Sequence, residues 1–200
     1  MIYQRLHATL ESHQSRDQVG FRPKYSVEDA FIVLESMISK SYEWKFPIWM
    51  ASLDLRKAFD RIEYHALFDA LREQGVGDNY LALLASMYSD QTGCIRGSKK
   101  YFNIERGVKQ GDIISPVLFN AALELVMRRW KIRINGSGIN LGIGECLTNI
   151  RYADDLMLYA SSLEDLTFMM QILFEELQKV GLQINGSKCK IATTDPENVL

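Results

Sequence analysis

Two stretches of this sequence set carboxylates hard against apolar residues. Asp54 closes the run Ile48-Trp49-Met50-Ala51-Ser52-Leu53, and Asp154-Asp155 interrupts an apolar stretch from Leu147 to Ala160. A carboxylate beside a core has to be solvated, hydrogen-bonded or bound to a cation, because burying it unpaired is costly. Each has a plain alternative: Asp54 as a helix cap, and the pair as the polar tip of a hairpin. On adjacent strands, however, the three would form a cluster that repels itself and attracts divalent cations, and hard oxygen ligands suit Mg²⁺. Two such ions about 4 Å apart stabilise the attacking and leaving oxygens of an in-line phosphoryl displacement. Residue type and spacing therefore reach metal-dependent phosphoryl transfer and no further. Clustered carboxylates titrate as a coupled set, so at least one should hold its proton more tightly than usual when no metal is bound.

Several elements must position these groups. Ser26 and Asp29 form a capping box before Ala30, Phe31, Leu34 and Ile38, whose spacing predicts an amphipathic helix. The run 48–53, short and preceded by Pro47, reads as a buried strand. Helices are expected through Leu67 and Leu71 to a stop at Gly75, and again from Asn79 to Tyr88. Residues 94–106 read as a hairpin turning at Gly97-Ser98. Ser115-Pro116 supplies a cap and a first-turn proline for a helix through Leu118, Ala122, Leu125 and Met127. That helix ends in Arg128, Arg129 and Lys131, where cations complement the helix dipole. Residues 147–160 read as two strands around Ala153-Asp154-Asp155. A helix follows from a Ser162/Asp165 box through Leu166, Met170, Leu173 and Leu177 to Gly181. Leu182-Gln183-Ile184 and Cys189-Lys190-Ile191 predict a last hairpin around Asn185-Gly186. Hairpins without regular β-α alternation favour an antiparallel α+β layer over a doubly wound sheet. With no repeat, low-complexity tract or linker, a single compact unit is expected.

Composition adds exclusions. Of 200 residues, 47% are hydrophobic and the formal charge is −2, which argues against disorder and against a simple basic coat for nucleic acid. No apolar run approaches the roughly 20 residues of a membrane span. The start lacks a signal peptide's apolar stretch, so an intracellular, nuclear or cytoplasmic protein is expected. Cys94, Cys146 and Cys189 read as buried free thiols. The small net charge hides an asymmetry, because Arg96 to Arg133 holds nine Lys/Arg against three Asp/Glu between two acidic flanks.

Three ordered segments carry a resemblance. They are Leu53-Asp54-Leu55-Arg56-Lys57-Ala58-Phe59-Asp60, Gly107-Val108-Lys109-Gln110-Gly111-Asp112 running on to Ser115-Pro116, and Tyr152-Ala153-Asp154-Asp155. In that order they resemble motifs A, B and C of reverse transcriptases. Gln18-Val19-Gly20-Phe21-Arg22-Pro23 and Gly181-Leu182-Gln183-Ile184-Asn185 also match and point to the non-LTR retrotransposon branch, to which group II intron proteins are related. The resemblance implies a right-hand polymerase palm with an antiparallel sheet, packed helices and partial fingers. Residues 1–47 would be partial fingers and 48–200 mostly palm, with inserted finger or palm elements at 77–110 and the thumb absent. It implies an RNA template, a DNA primer and deoxynucleoside triphosphates as partners, with no membrane.

By the same resemblance, Asp54, Asp154 and Asp155 would ligate two Mg²⁺ ions, or Mn²⁺ as a substitute, with the Leu55 carbonyl an additional ligand. Lys188 would protonate the leaving pyrophosphate, its alternative being a solvated turn lysine. Phe59 matches an aromatic gate against the ribonucleotide 2′-hydroxyl; otherwise it is a core phenylalanine. Gln110 and Gly111 match residues along the incoming nucleotide and template, where a glycine lets a base approach the backbone. Arg22 would touch template phosphate or form a surface salt bridge. Arg96, Lys99, Lys100, Arg106 and Lys109, with Tyr101 and Phe102 among them, would lie along the primer–template duplex or form a solvated face. Family members usually carry finger strands before the Gln-x-Gly-Phe-Arg segment, whereas seventeen residues precede Gln18. A catalytically inactive retroelement remnant that at most binds nucleic acid is the rival reading, and a palm-like nucleotidyl cyclase a third.

Overall fold

The computed structural model describes residues 2–97, 100–142 and 144–197. In chain order its elements are α1 (Ile2–His13), α2 (Val27–Trp44), β1 (Trp49–Asp54), α3 (Ala58–Arg61), α4 (Tyr64–Glu73) and α5 (Asp78–Tyr88). There follow β2 (Thr92–Cys94), β3 (Tyr101–Asn103), α6 (Ser115–Ile134), β4 (Ile139–Asn140) and β5 (Cys146–Leu147). The last are β6 (Asn149–Tyr152), β7 (Asp155–Ala160), α7 (Leu163–Gln178) and β8 (Lys190–Thr193). Where one compact unit was expected there are two, interleaved in sequence: Met1–Gln14 with Lys57–Leu125, and Ser15–Arg56 with Val126–Leu200.

The second unit holds a four-stranded antiparallel sheet in the order β6-β7-β1-β8. Alternation along β1 sends Met50 to one face and Ala51 and Leu53 to the other, all of them buried. On the Met50 side, Ile48, Ile139, Ile150 and Tyr159 complete a cluster against which Ala30, Leu34, Met37 and Ile38 of α2 pack. On the other side α7 lies against β7 and β1. Its buried residues Leu166, Met169, Leu173 and Leu177 recur at three- and four-residue spacing, as one helical face requires. Both helices start where their sequences say. Asp29 accepts the Ser26 N–H at 2.7 Å, and Ser162 Oγ accepts the Asp165 N–H at 3.0 Å. From the α6 segment of this unit, the buried Trp130 donates its indole N–H to the Met169 carbonyl at 2.9 Å.

The first unit is helical, with the small hairpin β2–β3 attached. Its apolar core comes from Leu6 and Leu10 of α1, Leu67 and Leu71 of α4, Leu84 of α5 and Leu118 and Phe119 of α6. Gln74 closes α4 by donating to the Ala121 carbonyl at 2.7 Å.

Two further expectations change. Residues 182–184 and 190–193 do not form a hairpin with one another. Instead β8 pairs with Trp49–Ser52, while Ile184 bridges to Leu55, so the two segments lie end to end along the same side of β1. An open strand edge offers more backbone partners than a two-residue turn can. The cysteines are free, but Cys94 and Cys146 are exposed and Cys189 partly so, because they sit on small strands and a turn rather than on core-facing positions. One element was not expected at all: α1 forms without any acidic residue in its first turn to announce it. Among the described residues, no helix is long and apolar enough to cross a membrane.

One buried carboxylate ties α6 to α7. Glu176, 2% exposed, accepts from Arg133 and Lys179, each at 2.7 Å. Burial raises its pKa, but the hydrogen bonds from Lys179 and Arg133 outweigh burial and hold it below the usual glutamate value. A lowered folded-state pKa contributes stability above the unfolded value and loses it as pH falls through the folded one. Glu176→Gln should therefore cost about 1 kcal/mol in urea unfolding at about pH 7, and the deficit should shrink at about pH 3.

Candidate active site

The candidate carboxylates belong to the second unit. Asp54, the last residue of β1, stands directly opposite Asp155, the first residue of β7, in the antiparallel register. Directly opposed residues on antiparallel strands point to the same face, so the ladder brings these two side chains side by side. The turn Ala153-Asp154 joins β6 to β7 and closes the pair Tyr152↔Asp155. Asp154 is half-buried there and Asp155 is exposed. Burial pushes the Asp154 pKa above the ordinary aspartate value, and the charges of Asp155 and Asp54 push it further. Its own backbone hydrogen bond and the Lys188 ammonium oppose the shift without cancelling it.

Asp54 is held from the other side. Its Oδ2 accepts from Asn185 Nδ2 at 3.0 Å and its Oδ1 from Lys188 Nζ at 3.2 Å, while its carbonyl accepts the Asn185 N–H at 2.8 Å. Lys188 thus lies in an exposed turn with its ammonium on Asp54. Among the described residues, no three His, Cys, Asp or Glu side chains are gathered into a metal-holding group. The backbone places the three aspartates as neighbours, and the Asp54 side chain is committed to the lysine and the asparagine. The Leu55 side chain is buried, which leaves its carbonyl as the group it could offer.

Phe59, Gln110 and Gly111 belong to the first unit. The segment 107–110 is laced to α3: Gly107 N–H donates to the Ile62 carbonyl at 2.8 Å, and Val108 N–H to the Phe59 carbonyl at 2.7 Å. Gln110 Nε2 donates to Asp60 Oδ1 at 3.0 Å. Gly107 is required by contact as well as by its φ of 91°, since a Cβ there would stand 2.8 Å from the Asp60 carbonyl carbon and oxygen. Gly111, at φ 90°, has open space where a side chain would project. Phe59 is half-buried and stacks on Phe119, with ring centroids 4.6 Å apart and planes 16° from parallel. An open cavity of about 680 Å³ is lined by Asp60, Phe102, Ile104, Arg106, Lys109 and Gln110. Arg96 and Lys100 are exposed beside the strands of the β2–β3 hairpin, and Lys99, with Ser98 of the expected turn, lies outside the described residues.

Arg22, in the second unit, turns toward the backbone. It donates through Nη1 to the carbonyls of Ser15 at 2.6 Å and Gln18 at 2.8 Å and lies 4.4 Å from the Tyr25 ring centre. Sequence reasoning assigned no role to Gln18, Gly20, Asn185, Asp60 or Gly107, all of which hold site segments in place. A glycine inside each of the Gln-x-Gly and Gly-Val-Lys-Gln-Gly stretches was the available signal.

Comparison with known proteins bears on this arrangement. A family model described as "Reverse transcriptase (RNA-dependent DNA polymerase)" matches residues 1–200. The chain is 30% identical over 176 residues to the Pol polyprotein of the retrotransposable element R2DM of Drosophila melanogaster, covering 86% of this chain and 16% of that protein. It is 30% identical over 193 residues to an R2 Pol polyprotein of Popillia japonica, covering 94% of this chain and 26% of the relative. The chain therefore spans about a quarter or less of these relatives' length. Among solved structures, apo telomerase from Candida tropicalis, truncated from its C-terminal domain, superposes with a TM-score of 0.74 at 17% identity. That match covers 99% of this chain and 41% of the other and shows a shared fold. The whole-length family match and the R2 relatives together establish that the chain belongs to the reverse transcriptase family, in the company of non-LTR retrotransposon Pol proteins.

Proposed function

We propose that this chain is the nucleotide-adding core of an RNA-directed DNA polymerase from a non-LTR retroelement. It would work inside the cell, extending a DNA primer along an RNA template with deoxynucleoside triphosphates. The observation that carries the reading is the opposition of Asp54 and Asp155 across β1 and β7, with Asp154 in the adjoining turn. The donor set is all carboxylate oxygen, and burial, with the charges of Asp155 and Asp54, raises the Asp154 pKa. An ammonium is already drawn onto Asp54. Such a set fits hard divalent cations. Asp54, Asp154 and Asp155, with the Leu55 carbonyl, would hold two Mg²⁺ ions or Mn²⁺ in their place, which when bound activate the primer hydroxyl and neutralise triphosphate charge.

The residues of the chain supply the rest. Asp54, which Asn185 and Lys188 hold by hydrogen bonds, would hold a cation through the same oxygens, leaving the Lys188 ammonium available. In the reaction the primer 3′-hydroxyl gives its proton to water, its oxygen bonds to the α-phosphorus, the bond to the bridging oxygen breaks, and the electron pair leaves on pyrophosphate. The Lys188 ammonium donates a proton to that leaving group. Gln110, braced on Asp60, and Gly111 lie along the incoming nucleotide and template. Phe59, fixed against Phe119, stands against the sugar and excludes a 2′-hydroxyl. Arg22, Arg96, Lys99, Lys100, Arg106 and Lys109 bind nucleic-acid phosphate, giving affinity that is independent of sequence and sensitive to salt.

Asp154→Asn should lower Mg²⁺- or Mn²⁺-dependent extension of oligo-dT on poly-rA by about a hundredfold or more. Equal incorporation by variant and wild type would overturn the catalytic reading in favour of a remnant that only binds. The same variant tests the electrostatics. A carboxyl whose pKa is raised on folding contributes stability below its unfolded value and loses it as pH rises through the folded one. Asp154→Asn should therefore melt higher than wild type at neutral pH in chelator, and the difference should vanish below the ordinary aspartate range. Phe59→Ala should raise ribonucleotide incorporation relative to deoxynucleotide by about tenfold in single-nucleotide extension, because the gate acts through bulk.

A further inference from the structure

Ala153 adopts φ 54°, a left-handed conformation that favours glycine or asparagine at the first position of a two-residue hairpin turn. It does so between β6 and β7, one residue before Asp154. A segment from outside the hairpin lies against it. Residues 17–20 run alongside β6: Arg151 N–H donates to the Asp17 carbonyl at 2.8 Å, and Val19 N–H to the Arg151 carbonyl at 2.9 Å. This brings Gln18, 0% exposed, to the tip of the hairpin. Its Oε1 accepts two backbone N–H groups, from Ala153 at 3.0 Å and from Gly20 at 2.8 Å, and its Nε2 lies 3.5 Å from the Ala153 carbonyl. Gly20 completes the cradle, because a Cβ there would come 2.4 Å from Ala153 N and 2.9 Å from Tyr152 C.

We propose that Gln18 is a positioning residue for the polymerase site, which clamps Ala153 in its left-handed conformation and so sets where Asp154 and Asp155 point. The inference rests on the reading of those aspartates as the site carboxylates. Its chemistry is particular to an amide. One neutral oxygen takes two N–H donors, and no charge is introduced beside a cluster that already repels itself. Methionine matches the length of glutamine but accepts neither bond, so Gln18→Met removes the clamp and keeps the packing. Glycine at 153 adopts positive φ without help, so Ala153→Gly should repair what Gln18→Met breaks.

The test uses the full chain in four forms: wild type, Gln18→Met, Ala153→Gly and the double variant. Amide hydrogen exchange by NMR is the first readout. Gln18→Met should speed exchange at Ala153 and Gly20 by about tenfold or more, while amides of β7 and α7 keep their protection. The second readout is primer extension. Gln18→Met should lower kcat by about tenfold with KM for the nucleotide changed much less, and Ala153→Gly in that background should recover most of the loss. Unchanged protection at Ala153, or uniform loss of protection across the core, would overturn the clamp, as would failure of the second substitution to restore kcat. If wild type incorporates no nucleotide, the polymerase reading fails by itself, and the exchange rates still decide the clamp.

Discussion

The antiparallel register of β1 against β7 is the constraint on which the site depends. It sets Asp54 across from Asp155 and, by alternation, assigns every other residue of both strands to a face. A slip of one residue would turn Asp54 toward α7 and carry Met50 and Tyr159 out of the cluster under α2. Because both faces of these strands are covered, such a slip would misplace apolar groups on each side at once. The position of the carboxylates is therefore secured by residues with no chemistry of their own, among them Ala51, Leu53, Leu156 and Leu158, each at most 2% exposed.

The far edge of β1 completes the arrangement. Arg56 N–H donates to the Gln183 carbonyl and Asn185 N–H to the Asp54 carbonyl, both at 2.8 Å, so residues 183–185 extend the sheet just where the strand ends in its carboxylate. That extension delivers Lys188 to Asp54, a contact with 65% of the lysine side chain exposed, and such exposed pairs contribute little stability. An ammonium held this weakly is easily exchanged. The raised proton affinity of Asp154 and the left-handed turn beside it are costs that packing elsewhere offsets.

Much of this was legible in the sequence, for local reasons. The Ser26/Asp29 and Ser162/Asp165 boxes announce α2 and α7 because a cap involves residues three apart. The strand at 49–54 shows in its brevity and in the proline before it. Asp54, Asp154, Asp155 and Lys188, the four expected at one site, lie in one unit, with Asp54 opposite Asp155 and paired to Lys188. The parts not legible depend on partners far along the chain. Nothing local says that 182–184 and 190–193 would choose β1 over each other, or that the chain divides into two units. Gln18 escaped for a related reason, since an uncharged amide in a loop carries no sign of the turn 135 residues away that it holds. Gly107 and Gly20 were visible as glycines, but the backbone each lies against was not.

The interleaving of the two units has a consequence for synthesis. The strand β1 leaves the ribosome with residues 15–56, yet both of its neighbours, β7 and β8, lie beyond an intervening unit of residues 57–125. At 5–20 residues per second, roughly 5–20 s pass before β7 follows it out. For that interval a strand bearing Trp49, Met50 and Leu53 has two open edges and no partner from its own sheet, the form in which strands associate between molecules. The other unit, residues 1–14 with 57–125, is fully synthesised before β7 emerges. The nascent chain therefore passes through a state in which all of one unit has been made while the strand bearing Asp54 still waits for its neighbours.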